Sequence, residues 1–217
     1  MKKQQSGFTL VEIAIVLVII GLLLGGVLKG QELVNNAKVK NLANDFRGIS
    51  SFVYAYQDRF RALPGDDRAA NINLNGGTNA AAANLGNARI NGAWNSVTVT
   101  DETYLFWQHV RLAGLATGTT NTAAADYTPR NAEGGVIGVT SDPILIAPTT
   151  PYPASFYVCS QGIQGRFARQ IDTTLDDGNT QTGTVRVITD NAVNMPVDAV
   201  NVTAANDAVL YTVCMSF

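Results

Sequence analysis

The sequence predicts an α+β fold: a long N-terminal helix, apolar enough in its first half for a membrane, followed by a globular head whose last third is rich in strands. Three observations predict it. Residues Phe8 to Leu28, FTLVEIAIVLVIIGLLLGGVL, are an almost unbroken apolar run of 21 residues. Beyond it, apolar residues recur at Val39, Leu42, Phe46, Ile49, Val53, Tyr56, Phe60 and Leu63, in alternating steps of three and four that trace one helical face. Strand-like segments then follow one another in the C-terminal third, the order of an α+β chain rather than of alternating βαβ units.

Composition narrows the function classes. A chain of 217 residues that is 46% hydrophobic is long enough for one real core and an appendage. Its 15 Lys+Arg against 17 Asp+Glu lack the basic excess of a dedicated nucleic-acid binder. One His and two Cys cannot assemble the three or four nitrogen and sulfur ligands of the common zinc sites. The sole His109 stands beside no Ser or Cys motif, and neither G-x-S-x-G nor a glycine-rich phosphate loop occurs, so no enzyme is expected. His109 is expected to be a packed or exposed residue rather than a ligand.

As a helix, the apolar run covers about 30 Å, the thickness of a bilayer's hydrocarbon core. Lys2 and Lys3 precede it and Lys29 is the only close basic residue after it, which keeps the N-terminus cytoplasmic and sends the remainder outward. Gly21, Gly25 and Gly26 lie inside a run that continues straight into polar helix, without the small-residue cleavage site of a secretory signal, so the segment is expected to be retained. Glu12 is the anomaly, because a carboxylate at a membrane helix centre costs about 2.5–3.5 kcal/mol. It either snorkels to the headgroups or meets a charge partner in a neighbouring subunit.

Gly7 to Leu23, GFTLVEIAIVLVIIGLL, closely resembles the N-terminus of the type IV pilin and pseudopilin family. The likeness combines a short basic leader, a Gly before an aromatic, a Glu at fixed distance and a retained apolar helix. It implies cleavage by a prepilin peptidase between Gly7 and Phe8, N-methylation of the new Phe8 amine, and a Glu12 that neutralises the amine of an adjacent subunit during assembly. It also implies a pilin-like lollipop, with the second half of the helix packed on a C-terminal antiparallel sheet. The divisions are then a leader at 1–7, a transmembrane and filament-core helix at 8–30, an amphipathic half at 31–63 and a head at 64–217. The implied function is that of a structural subunit of a type IV pilus-like filament, with a type II secretion pseudopilin or an adhesive or DNA-uptake minor pilin as alternatives. The implied partners are further copies or other pilins, the peptidase, the pilus or type II secretion assembly machinery, and the bacterial inner membrane before assembly. The destination is an extracellular pilus or a periplasmic pseudopilus. The chain departs from many major pilins at Lys29, where they often carry a helix-bending proline; the nearby glycines are expected to loosen the helix instead.

The helical pattern ends at Pro64-Gly65, with Asp66 and Asp67 reading as the closing turn. The Asn/Ala/Gly-rich stretch from Asp66 to Thr100 reads as irregular surface structure plugged by Trp94. A short helix follows, capped by Thr100 or Asp101 and stopped at Gly114, then a second loop from Thr117 to Ala125. Strands are expected at Val136–Thr140, Ile144–Ala147, Ser155–Ser160, Thr184–Thr189 and Ala208–Ser216, with a helix at Ile163–Leu175. Cys159 and Cys214 fall in two of these strands, on the oxidising side of the membrane, and a disulfide between them is expected. No cofactor is expected, save that Asp172, Asp176, Asp177 and Asn179 are candidate calcium ligands. Their spacing is not that of an EF-hand, and Asp-Gly with Asn is ordinary turn chemistry, but some pseudopilins that resemble this chain bind calcium in a C-terminal loop. Arg89, Arg111, Arg130, Arg166, Arg169 and Arg186 are the residues from which a basic ligand-binding face could be built.

Overall fold

The computed structural model describes residues 9–81, 83, 85–144, 152–190 and 197–217. Two compact units divide after Lys38, and one helix, α1 (Leu10–Phe60), contributes to both. It runs unbroken through Gly21, Gly25, Gly26, Lys29 and Gly30, so the helix shows no break at the glycines: each costs only about 1 kcal/mol, and Leu22, Leu23, Leu24, Leu28, Lys29 and Gln31 among them favour helix. Lys29 pairs with Glu32 at 2.7 Å on the exposed surface.

In the second unit α1 supplies Val39, Leu42, Phe46, Ile49 and Val53 to the main core. Around them lie α2 (Ala70–Asn73), α3 (Glu102–Leu112), β1 (Ile137–Thr140), β2 (Tyr157–Gln164), α4 (Gly165–Leu175), β3 (Val185–Thr189) and β4 (Leu210–Ser216). The strands form one antiparallel sheet in the order β1-β2-β4-β3. Both its faces are covered, and alternate residues of each strand divide between them. Val158, Val213, Val185 and Val187 join the main core with α1 and α4. Tyr157, Cys159, Cys214 and Ile188 face a second cluster with Trp94 and Tyr152.

Cys159 and Cys214 are direct partners in the β2–β4 register and are joined by a disulfide across 55 residues. Closing a loop of that length stabilises by about 4 kcal/mol in the chain-entropy account. Two elements depart from expectation. β2 continues past an irregularity between Ser160 and Ile163, which delays the start of α4 to Gly165. Ile144 is buried but belongs to no strand, and the rest of the expected Ile144–Ala147 strand lies outside the described residues. Burial alone satisfied its apolar side chain.

The end of α1 is set by polar anchors. Arg61 takes a left-handed conformation, and the chain turns through Pro64 into Gly65, whose N–H donates to His109 Nδ1 at 2.9 Å. Gly65 has φ +91°, and a Cβ there would lie 2.3 Å from the Glu102 carbonyl oxygen. Asp66 and Asp67 are buried. Asp66 accepts from the backbone N–H groups of Gly86, Asn87 and Ala88, and Asp67 accepts from Tyr56 Oη at 2.9 Å and Asn73 Nδ2 at 2.8 Å. The low-complexity loop is thus tied to the helix end by carboxylates. Trp94, buried as expected, passes its backbone against β1, where a Cβ on Gly138 would lie 1.8 Å from the Trp94 carbonyl oxygen.

Gly65→Ala is expected to destabilise the head by roughly 1–3 kcal/mol from conformation alone, with the clash in addition, lowering the melting temperature by about 5 °C or more. An unchanged thermal melt by circular dichroism would show that this turn constrains nothing.

Candidate functional site

The first described residues form a helix start with its own chemistry. Thr9 precedes α1, and Glu12 is its third residue. Glu12 N–H donates to Thr9 Oγ1 at 3.2 Å, while Thr9 N–H and Thr9 Oγ1 each donate to Glu12 Oε2 at 2.8 Å. This reciprocal arrangement is a capping box, satisfying helix N–H groups that have no partner within the helix. Glu12 therefore has a local role that its sequence position alone did not disclose, although T-x-x-E is a capping signature. Gly7 and Phe8 lie outside the described residues.

Every residue from Thr9 to Val34 is exposed. The exposed set includes Leu17, Val18, Leu22, Leu23 and Leu24, and this stretch lies in the helix that is long and apolar enough to cross a membrane. Beyond the helix's own adjacent backbone, nothing among the described residues lies within 4 Å of a Cβ built on Gly21, Gly25, Gly26 or Gly30. Their small size therefore relieves no crowding within the chain.

Among its described residues the head presents no comparable exposed apolar stretch, and several of its titratable groups are engaged internally. His109 is fully buried. Its Nδ1 accepts from Gly65 and its Nε2 contacts the Thr78 carbonyl oxygen at 2.8 Å, which fixes a neutral imidazole protonated on Nε2. Burial lowers its pKa, against opposing contributions from the Thr78 carbonyl and Asp67. His109 is a latch between the α1 turn and the following loop. Arg111 spends its guanidinium on the carbonyls of Thr117, Thr119 and Tyr127. Arg186 is buried over the Tyr152 ring, 4.4 Å from its centroid. Arg89 and Arg169 face Asp142 and Asp207. Four of the six arginines that could have built a basic face are thus used within the head, while Arg130 and Arg166 are exposed, Arg130 donating to the Gly134 carbonyl at 2.8 Å and Arg166 lying over the Phe167 ring.

The carboxylates named in sequence are partly brought together. Oxygens of Asp172, Asp176 and Asp177 lie within 4.8 Å of one another. Asn179 turns its side-chain oxygen to the Gln181 N–H at 3.2 Å. Sequence reasoning missed Glu102 as a buried acid: Oε2 accepts from Asn91 N–H at 2.7 Å while Oε1 is buried without a partner. Burial, with smaller contributions from the Asp66, Asp142 and Asp101 charges, raises its pKa to about 7.

A carboxyl whose pKa is raised on folding stabilises at low pH and opposes folding once ionised. Glu102→Gln, which keeps the Asn91 bond, is therefore expected to melt higher than the parent above pH 7, by roughly 3 °C for about 1 kcal/mol. The gap should shrink between pH 7 and 4.5 and vanish below. Parallel melting curves across that range would refute a raised pKa.

Comparison with known proteins adds one finding at the N-terminus: residues 2–28 match the model described as the prokaryotic N-terminal methylation motif. No curated protein and no solved structure matches the chain. The N-terminal segment carries the type IV pilin/pseudopilin signal motif, which supports the chain's being a type IV pilin-like or pseudopilin precursor.

Proposed function

We propose that the protein is a structural subunit of a type IV pilus-like filament, held in the inner membrane with its N-terminus cytoplasmic until a prepilin peptidase cuts between Gly7 and Phe8. The observation that carries this reading is the helix surface from Leu10 to Leu28, apolar save for Glu12 and exposed throughout its length, beginning within a matched methylation motif. Apolar surface of that extent needs a partner. Lipid serves before assembly, and the same helices of neighbouring subunits serve afterwards.

Two local features fit a helix bundle. Gly21 and Gly25, like Gly26 and Gly30, stand four residues apart and, beyond their own helix backbone, meet nothing among the described residues. In apolar bundles such small residues let helix backbones approach closely. Glu12 engages Thr9 through Oε2, which leaves Oε1 to receive the methylated amine of Phe8 in a neighbour. In that apolar setting the opposite charges attract strongly, and removing one strands the other. The carboxylate would then cap its own helix and fix the axial register of the next.

The test is mass spectrometry and electron microscopy of material sheared from cells of the native host. Chains beginning at N-methyl-Phe8 in long fibres are expected; processed chain confined to the envelope would replace the pilus by a periplasmic pseudopilus. Glu12→Ala should leave processing intact and reduce incorporation by roughly tenfold or more, whereas undiminished fibre yield would remove the register role. Gly25→Leu should leave the head's thermal melt unchanged and still lower fibre yield. If yield is also unchanged, close helix approach at that point is wrong.

A further inference from the structure

We propose that Asn75 is a site of spontaneous covalent modification, its side-chain amide being exchanged for a carboxylate through a cyclic imide formed with the backbone nitrogen of Gly76. This inference concerns the head alone and stands apart from the filament reading. The chain has two Asn-Gly pairs, Asn75-Gly76 and Asn91-Gly92. In both, a side-chain amide is followed by a backbone nitrogen with no Cβ to shield it, so the sequence ranks the two equally. The fold separates them.

Asn75 and Gly76 are the central residues of a tight turn that follows α2, closed by the Gly77 N–H donating to the Leu74 carbonyl at 3.0 Å. Gly76 has φ +85° whereas Asn75 takes no positive φ, the pattern of a type II turn. Such a turn engages the N–H of its fourth residue and leaves that of its third free. Among the described residues, accordingly, none accepts from the Gly76 N–H and none pairs with the Asn75 side chain. Both residues are exposed, and a Cβ on Gly76 would meet nothing within 4 Å. The peptide plane between them therefore has room to rotate until the nitrogen faces the side-chain carbon, and water reaches the product.

Asn91-Gly92 is held at the polar atoms that the reaction needs. Gly92 N–H donates to Asp142 Oδ2 at 2.7 Å, Asn91 Nδ2 donates to Asp142 Oδ1 at 3.2 Å and Asn91 Oδ1 accepts from Asn87 Nδ2 at 2.9 Å. The Asn91 N–H is anchored as well, on Glu102 Oε2 at 2.7 Å. Attack there requires the local structure to open first. Asp177-Gly178 is the acidic counterpart of these pairs, and it is slowed differently. Asn179 N–H and Thr182 Oγ1 donate to the Asp177 carboxylate and lower its pKa, and a carboxylate anion repels a nucleophile.

The reaction needs only solvent. The Gly76 nitrogen gives up its proton and bonds to Asn75 Cγ, the Cγ–Nδ2 bond breaks, and the departing nitrogen leaves with that proton as ammonia. Water then opens the imide at either carbonyl. Opening at Cγ leaves aspartate; opening at the main-chain carbonyl leaves isoaspartate, whose backbone runs through the side chain and is one methylene longer. Either product adds a negative charge to a chain whose formal net charge is -2. Isoaspartate also lengthens a turn that is pinned on both sides: Leu74 is buried, and a Cβ on Gly77 would lie 2.3 Å from the Ala70 carbonyl oxygen. A long-lived chain thus acquires, in this exposed turn, a charge that records its age.

The test incubates the full chain in detergent micelles at 37 °C and pH 8 in heavy-oxygen water, and follows each position by peptide mapping with tandem mass spectrometry. Position 75 is expected to take up the heavy oxygen at least roughly tenfold faster than position 91, which must first break its hydrogen bonds, and to yield both aspartate and isoaspartate. In urea, with the fold lost, the two positions should converge to within about threefold. Asn75→Gln, one methylene too long for the five-membered ring, should suppress uptake there; undiminished uptake in that variant would refute attack by the Gly76 nitrogen. Equal uptake at positions 75 and 91 in the folded chain overturns the proposal. So does a preference that persists undiminished in urea, because the fold is then not its cause.

Discussion

A single helix that must serve two environments is the constraint on which the rest of the molecule depends. From Leu10 to Leu28 the side chains of α1, apolar save for Glu12, are exposed all round and are covered by nothing among the described residues. From Val39 onward one stripe of the same helix is buried at the centre of the head. No proline interrupts it, so the hydrogen-bonded ladder is continuous between the two regimes. The helical period changes its meaning along the way. From Leu10 to Leu28 apolar residues lie on every face, while in the second half the buried stripe is the face with Val39, Leu42, Phe46, Ile49 and Val53.

The head is built to receive that stripe and then to release the chain cleanly. α1 ends where Gly65 passes too close to the Glu102 carbonyl for any side chain, and His109, Asp66 and Asp67 fasten the turn to loops with little apolar content of their own. An Asn/Ala/Gly-rich segment has few apolar anchors, chiefly Leu74, Ile90 and Trp94, so buried acceptors help to define it. This explains why the sole histidine is neutral and enclosed: its two nitrogens bridge backbone groups from separate loops.

Much of this was legible because it depends on periodicity. The apolar run, the three-four spacing after Val39, the four strands at Val136–Thr140, Ser155–Ser160, Thr184–Thr189 and Ala208–Ser216 and the helices α3 and α4 all carry local signatures, whereas the single turn of α2 lies in a stretch that reads as irregular. Contacts between distant segments do not. That Asp66 reaches the amides of residues 86–88, that Glu102 is sealed beneath Asn91, or that Asp172 lies buried while Asp177 is exposed depends on how the loops fold back, and an isolated aspartate looks the same in either setting. Glu12 shows both sides. Its place four residues after Phe8 was conspicuous, yet its bond to Thr9 emerged only with the helix start itself.

The strand order carries a consequence for the timing of folding. β4, synthesised after the other three strands, lies between β2 and β3 and pairs with both. Until it arrives, β3 has no neighbour in the sheet and Cys159 has no thiol to meet. A head folding as its chain emerges would therefore remain an incomplete sheet until residues 210–216 had followed, and would close in one late step. Oxidation of Cys159 with Cys214 then records completion: a chain stopped short of β4 retains a reduced Cys159, a chemical mark by which finished and unfinished subunits differ.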